Sequence, residues 1–94
     1  MADTDTKKDT KNQKPLEASF STLVLSIGSS AAMALGLAPN PMSGKTEKDL
    51  ALARFNIDLL IMLRDKTKGN LNEEEQRFIN SIISDLQLKY VSAN

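Results

Sequence analysis

The feature that most constrains the fold of this chain is a run of 25 residues, from Ser19 to Ser43, without a charged side chain. Its apolar residues recur at intervals of three and four positions, which indicates one face of a helix. Ser19 is the predicted N-cap, and Gly36 with the following "APNP" ends the helix. An uncharged helix has to be covered by other helices, so an all-α fold is expected. The predicted face consists of Phe20, Leu23, Val24, Ile27, Ala31, Ala34 and Leu35.

A second stripe on this helix is made mostly of small residues and predicts a helix-packing or partner interface. It contains Gly28, Ser29, Ala32 and Gly36, and Leu25 lies beside them. Glycine and serine destabilise a helix interior, so we expect close packing to compensate for their presence. The hypothesis is that this helix packs on the rest of the chain and also pairs with a second copy or with another protein.

The length of the same helix raises the question of a membrane span. About 18 residues at a 1.5 Å rise come near the minimum for a bilayer core, and small residues four apart suit helix pairing in lipid. Five hydroxyl side chains dilute its apolar character, and no Trp or Tyr marks an interface. A soluble protein is therefore expected, and membrane association is the weaker alternative.

After a loop over residues 37–45, the segment from Thr46 to Gly69 predicts a second helix. Thr46 and Asp49 resemble a capping box at its start. Apolar residues occupy two faces, which indicates a central helix buried on more than one side. The first face contains Leu50, Ala53, Ile57, Leu60 and Ile61, and the second contains Leu52, Phe55, Leu59, Met62 and Leu63.

The third predicted helix is amphipathic, has about 17 residues and forms a hairpin with the second. Its single apolar stripe consists of Phe78, Ile79, Ile82, Ile83, Leu86 and Tyr90. The connection between the two helices, "KTKGNLNEEE", is dense in charge and resembles a binding site. Gly69 suits the left-handed position after a helix, Asn72 suits an N-cap, and Glu75 suits the reciprocal capping-box bond. Three consecutive glutamates would repel a phosphate, so a structural turn is favoured over an anion site.

The first 16 residues, "MADTDTKKDTKNQKPL", are polar and are predicted to form a disordered tail before a single helical domain over residues 17–92. Twelve basic and twelve acidic residues cancel in charge, so the chain has no general field that would attract nucleic acid. There is no His and no Cys, the commonest zinc ligands. We expect no metal, no cofactor and no catalytic residue.

The segments "FSTLVLSIGSSAAMALGLAPNPMSG" and "DLALARFNIDLLIMLRDKTKGNLNEEE", with a helix ending "LKYV", resemble the bacterial family named domain of unknown function 1844. The similarity covers Phe20 to Val91. Its most specific parts are the leucine-glycine end of the first helix, the "AR..ID.L..L" run and "KTKGNL..EE". The resemblance implies a small, all-helical protein of the bacterial cytosol and carries no established activity, ligand or catalytic residue. Gln87 departs from the family, whose members tend to have Arg there.

The candidate for acid–base chemistry is Asp58, because it lies within a mostly apolar helix; pairing with Arg54 is the favoured interpretation. A nucleic-acid accessory role would depend on the basic residues from Arg64 to Lys68, and it is the alternative to the main hypothesis. A core of three short helices rarely contributes more than about 3–5 kcal/mol, and such chains often complete it by oligomerising. We therefore expect a non-catalytic interaction or assembly module that forms a homo-oligomer or binds another protein.

Overall fold

The computed structural model describes residues 17–94, and within this range the chain forms three α-helices and no β-strand. Helix α1 spans Phe20–Ala34, α2 spans Leu50–Lys66 and α3 spans Glu73–Ala93. Every helix packs against the other two. The predicted all-α arrangement, with α2 and α3 as a hairpin and α1 uncharged, is confirmed. The predicted disordered tail, residues 1–16, lies outside the described residues.

Helix α1 begins and ends with local hydrogen bonds of the expected kind. The Oγ of Ser19 accepts a bond of 3.1 Å from the backbone N–H of Thr22. At the other end, the N–H of Gly36 donates to the carbonyl of Met33 at 3.0 Å, and Gly36 adopts a φ of 80°. That left-handed conformation is strained for other L-residues, so glycine is favoured where the chain leaves the helix.

Helix α2 begins three residues later than the capping-box pattern predicts, so the prediction of Thr46 as its cap is wrong. Asp49 is the N-cap, and its Oδ1 accepts a 3.1 Å bond from the N–H of Leu52. The reason is tertiary. Lys48 forms an antiparallel bridge with Leu35, and the N–H of Asp49 donates to the carbonyl of Ala34 at 2.7 Å. This pairing holds the residues before α2 extended along the end of α1.

Helix α3 has 21 residues and is longer than predicted. Its last turns are held by an ion pair of 2.8 Å between Lys89 and Asp85, four residues apart, and by packing of Tyr90 and Ala93 against the core. Each residue added to a helix contributes one further backbone hydrogen bond. Because these contacts hold the last turns in place, the helix extends beyond its predicted end.

The core lies where the three helices meet. Its buried apolar residues are Val24, Ala31, Ala34, Leu35, Ala53, Ile57, Leu60, Ile79, Ile83 and Leu86. Asn56 is also buried, and its side-chain N–H donates to the carbonyl of Leu52 at 3.0 Å, which satisfies part of its polar group. These residues cover one continuous side of each helix.

The prediction that α2 is buried on more than one side is wrong for most of its second apolar face, although Leu63 of that face packs against the core. Leu52 is 48% exposed, Phe55 is 57% exposed and Met62 is 47% exposed. The two neighbouring helices together cover the side that carries Ala53, Ile57 and Leu60. No third helix of the described chain remains to cover the second apolar face of α2.

Candidate interaction surface

The small-residue stripe on α1 faces α3 over part of its length. A Cβ atom added to Gly28 would lie 3.3 Å from Cγ2 of Ile82, which is closer than ordinary side-chain contacts. Gly28, Ser29 and Ala32 line a shallow groove of about 180 Å³ between the two helices. Part of the stripe is therefore used inside the chain, where glycine allows α1 and α3 to approach.

Gly36, the fourth residue of the predicted stripe, has a different environment. It lies after the C-cap of α1, and an added Cβ would be 3.7 Å from Cβ of Lys48. Gly36 lies in the turn after α1, and beyond this turn the extended segment before α2 runs back along the end of α1. The structure thus brings Gly28, Ser29 and Ala32 together in one groove and separates Gly36 from them.

The turn residues of the hairpin all make local bonds. Asn72 is the N-cap of α3; its Oδ1 accepts from the N–H of Glu75 at 2.7 Å, and the Glu75 carboxylate accepts from the N–H of Asn72 at 3.0 Å. Gly69 follows the C-cap Thr67 by two residues and has a φ of 88°. This segment therefore has the geometry of a helix end joined to a helix start.

Asp58 lies on the exposed side of α2 that borders α3. Its carboxylate is 3.7 Å from the Arg54 guanidinium, and both side chains are more than half exposed to solvent. The pair lies at the rim of a groove of about 370 Å³ between α2 and α3, which is also lined by Ile57, Ile61 and Tyr90. Asp58 is therefore an exposed carboxylate with a surface partner, and it lacks the burial that marks many catalytic acids and bases.

The surface that sequence reasoning missed as a site is the second apolar face of α2. Leu52, Phe55, Leu59 and Met62 follow one another at intervals of three, four and three residues, and we refer to this row as the α2 seam. Three of its members are about half exposed, and Leu59 is partly buried. Alternating intervals of three and four are the spacing of the residues that meet between two packed helices. The sequence contains this spacing, but periodicity alone does not distinguish an exposed apolar face from a buried one.

Helix α1 extends this apolar surface on one side of the seam. Ser30 and Met33 of α1 line a cleft of about 210 Å³ with Leu52 of α2, and the cleft is closed on its polar side by Asn40, Glu47 and Asp49. Leu23 lies two helical turns before Ser30 and therefore on the same side of α1. It is 47% exposed, although the sequence predicted that it belongs to the buried face. The α2 seam and Leu23 thus belong to one side of the molecule.

Among the charged residues, Glu47 and Asp49 line the cleft beside Leu52, and three arginines lie close to carboxylates. Arg77 is 3.5 Å from Glu73, and Arg64 is 3.5 Å from Asp65. Arg64 also donates to Oδ1 of Asn80 at 3.2 Å, which links α2 to α3. Between Leu52 and Met62 the charged residues are Arg54 and Asp58, and both point into the α2–α3 groove. The α2 seam itself carries no charge.

Residues 17–94 contain neither a metal-binding cluster nor a membrane-spanning helix. No group of three or more His, Cys, Asp or Glu side chains in this range is placed to hold a metal ion. No helix in this range is both apolar enough and long enough to span a bilayer.

Comparison with known proteins identifies the family. Searches of curated proteins and of solved structures each gave no match to the chain. A family model described as Domain of unknown function (DUF1844) matches residues 17–92, which include α1, α2 and nearly all of α3. The match covers well over half of the sequence, and the chain therefore belongs to the DUF1844 family.

Proposed function

We propose that this protein is a protein–protein interaction or assembly module without catalytic activity of its own. The single observation that supports the proposal is the α2 seam, a row of apolar side chains of which three are about half exposed in the described chain. A small domain gains stability by burying such a row, and exposed apolar rows on a helix are a common element of helix-to-helix recognition.

The central residue of the seam supports this interpretation most strongly. Phe55 is 57% exposed, although it lies on a helix with buried neighbours at Ala53, Asn56 and Ile57. Phenylalanine, tyrosine and tryptophan bury about 150–250 Å² each and dominate interface energetics. An exposed aromatic ring with apolar residues one turn before and one turn after it is suited to fill a recess in a partner helix.

A catalytic role has less support, because Asp58 is exposed and paired with Arg54 at 3.7 Å. A nucleic-acid role also has less support. Nucleic-acid binding depends on a basic surface that neutralises phosphates, whereas the basic residues from Arg64 to Lys68 include Asp65 and are followed by three glutamates at the start of α3. The proposal includes a cytoplasmic location, which the absence of cysteine fits.

Affinity purification from the native cell tests the proposal. Tagged wild-type chain is compared with Phe55→Asp, which introduces a charge at the centre of the α2 seam. Leu88→Asp is the matched control, because Leu88 is 71% exposed on α3, away from the seam. We expect the wild type and Leu88→Asp to retain the same partners, including untagged copies of the chain, and Phe55→Asp to lose them.

The same experiment has a clear contrary outcome. If all three chains retain identical proteins, or if none retains any protein above background, the seam is not an interaction surface and the proposal is wrong. Circular dichroism of each variant shows whether its helices are intact, since both substitutions are at exposed positions and are expected to fold.

A further inference from the structure

We propose that the occupant of the α2 seam is the α2 seam of a second copy of this chain, packed antiparallel around a two-fold axis. This inference rests on the proposed function and specifies its partner. The first argument comes from the spacing. Intervals of three, four and three residues read the same in both directions along the helix. A two-fold axis at the centre of the seam therefore superposes the row on itself, as a symmetric dimer interface requires.

This symmetry determines which residues meet. Leu52 lies opposite Met62 of the second copy, and Phe55 lies opposite Leu59 of the second copy. Each aromatic ring thus meets the least exposed member of the seam, and each leucine at one end meets a methionine at the other. Methionine is unbranched and flexible, so it adapts to the shape of the side chain that it meets.

The charge distribution along α2 favours the antiparallel orientation over the parallel one. The residues just before the helix, Glu47, Lys48 and Asp49, carry a net negative charge. The end of the helix, from Arg64 to Lys68, carries a net positive charge. The antiparallel pair keeps the two positive helix ends apart, which a parallel pair does not, although its register places Lys48 opposite Lys66 and Asp49 opposite Asp65. The helix dipoles also oppose each other favourably in the antiparallel pair.

The absence of charge on the seam is the remaining argument for a second copy. Arg54 and Asp58, the charged residues between its ends, point into the α2–α3 groove and pair with each other at 3.7 Å. Two identical seams can therefore meet without burying an unpaired charge. Leu23 of α1, on the same side of the molecule, adds apolar area beside the seam. Stable dimers bury about 1,200–2,000 Å² in total, so an interface limited to one helix pair with this addition favours a weak, concentration-dependent association.

Disulfide trapping tests the orientation directly, because the wild-type chain has no cysteine. Two single-cysteine variants, Leu52→Cys and Met62→Cys, are prepared with tags of different size, and each is oxidised alone and as an equimolar mixture. In the antiparallel pair, positions 52 and 62 face each other. Position 52 of one copy and position 52 of the other are separated by ten residues of helix, or about 15 Å along the helix axis. A disulfide cannot span that distance. We expect disulfide-linked dimers mainly in the mixture, with one chain of each kind. Leu88→Cys is the matched control and is expected to give only background cross-linking.

Other outcomes overturn the inference in distinguishable ways. If each variant cross-links to itself as efficiently as to the other, the pairing is parallel or unspecific. If the mixture cross-links no more than Leu88→Cys, the seam does not pair with itself. In that second case the affinity purification decides whether the proposed function survives: partners of different sequence that are lost with Phe55→Asp would preserve it, and partners unaffected by that substitution would contradict it as well.

Discussion

Gly28 of α1 and Ile82 of α3 approach so closely that a Cβ atom on the glycine would lie 3.3 Å from Cγ2 of the isoleucine. This relationship fixes the distance between the first and third helices. It also explains a glycine in the middle of α1, where alanine would be about 0.5–1 kcal/mol more favourable for the helix itself. Because of this contact, the stability of the chain is expected to depend on the size of the side chain at position 28.

Substitution of Gly28 by Leu is expected to destabilise the chain by about 1–3 kcal/mol, because the larger side chain separates α1 from α3. Gly28→Ala is expected to be near neutral, since the gain in helix propensity opposes the tight contact. Urea denaturation at a fixed protein concentration measures both effects. Ser26→Leu is the control, because it adds a similar side chain at an exposed position of α1 outside the α1–α3 groove and should have little effect.

Combining the Gly28→Leu and Ile82→Ala substitutions tests the cause of that loss. If the methyl group of Ile82 is the obstacle, the double variant loses less stability than the sum of the two single variants. Strict additivity of the two effects would show that Gly28 is not required for the approach of α3.

Asn72 and Glu75 form a reciprocal pair of hydrogen bonds, 2.7 Å and 3.0 Å long, at the start of α3. We expect Asn72→Ala to cost about 1 kcal/mol, because it removes the side chain that accepts the Glu75 N–H. Glu75→Gln should cost less, since glutamine can make the same reciprocal bond. Glu74→Ala, at an exposed position beside the box, is the control. Equal melting of Asn72→Ala and wild type would contradict the assigned role.

The hairpin turn depends on the left-handed conformation of Gly69, whose φ is 88°. No atom lies within 4 Å of an added Cβ, so any effect of substitution comes from the backbone and not from crowding. Gly69→Ala is expected to cost about 1–2 kcal/mol, and Gly69→Asn less, because asparagine tolerates this conformation better. Thermal or urea unfolding is expected to show the highest stability with Gly at position 69, a lower one with Asn and the lowest with Ala. A different order of stability would contradict the conformational explanation.

The Arg54–Asp58 pair is expected to contribute little, since both side chains are more than half exposed. Asp58→Asn should change the free energy of unfolding by less than about 0.5 kcal/mol. It should also leave the self-association of the chain unchanged, because Asp58 lies off the seam. Unfolding at low and high salt, combined with the sedimentation of the variant, checks both points. A large loss of stability or of self-association in Asp58→Asn would show that Asp58 has a role that its exposure does not suggest.

Local chemistry in the sequence predicts much of this fold. The cap at Ser19, the pair formed by Asn72 and Glu75 and the left-handed Gly69 depend on residues within a few positions of one another. The start of α2 could not be predicted in this way. Thr46 and Asp49 are both competent caps, and the choice between them is made by the pairing of Lys48 with Leu35, thirteen residues earlier. Contacts at that separation are invisible to a local pattern.

The candidate surface shows a second limit of sequence reasoning. Periodicity finds the apolar faces of α2 but cannot count the helices available to cover them. Ala53 and Phe55 both belong to apolar faces of the same helix, yet Ala53 is fully buried and Phe55 is 57% exposed. Only the packing of α1 and α3 on the Ala53 side distinguishes the two. The small-residue stripe of α1 shows the same limit, because its use against Ile82 within the chain becomes evident only in the structure.

Sedimentation equilibrium of the full chain, over protein concentrations extending to the millimolar range, tests the central claim most directly. If the α2 seam pairs with itself, the wild type and Leu88→Asp approach twice the 10.3 kDa of one chain as concentration rises. Phe55→Asp, which places a carboxylate opposite Leu59 of the second copy, remains at the mass of one chain and keeps its helical circular dichroism. A wild type that stays at the mass of one chain throughout, or a Phe55→Asp chain that associates as strongly as the wild type, would contradict the claim.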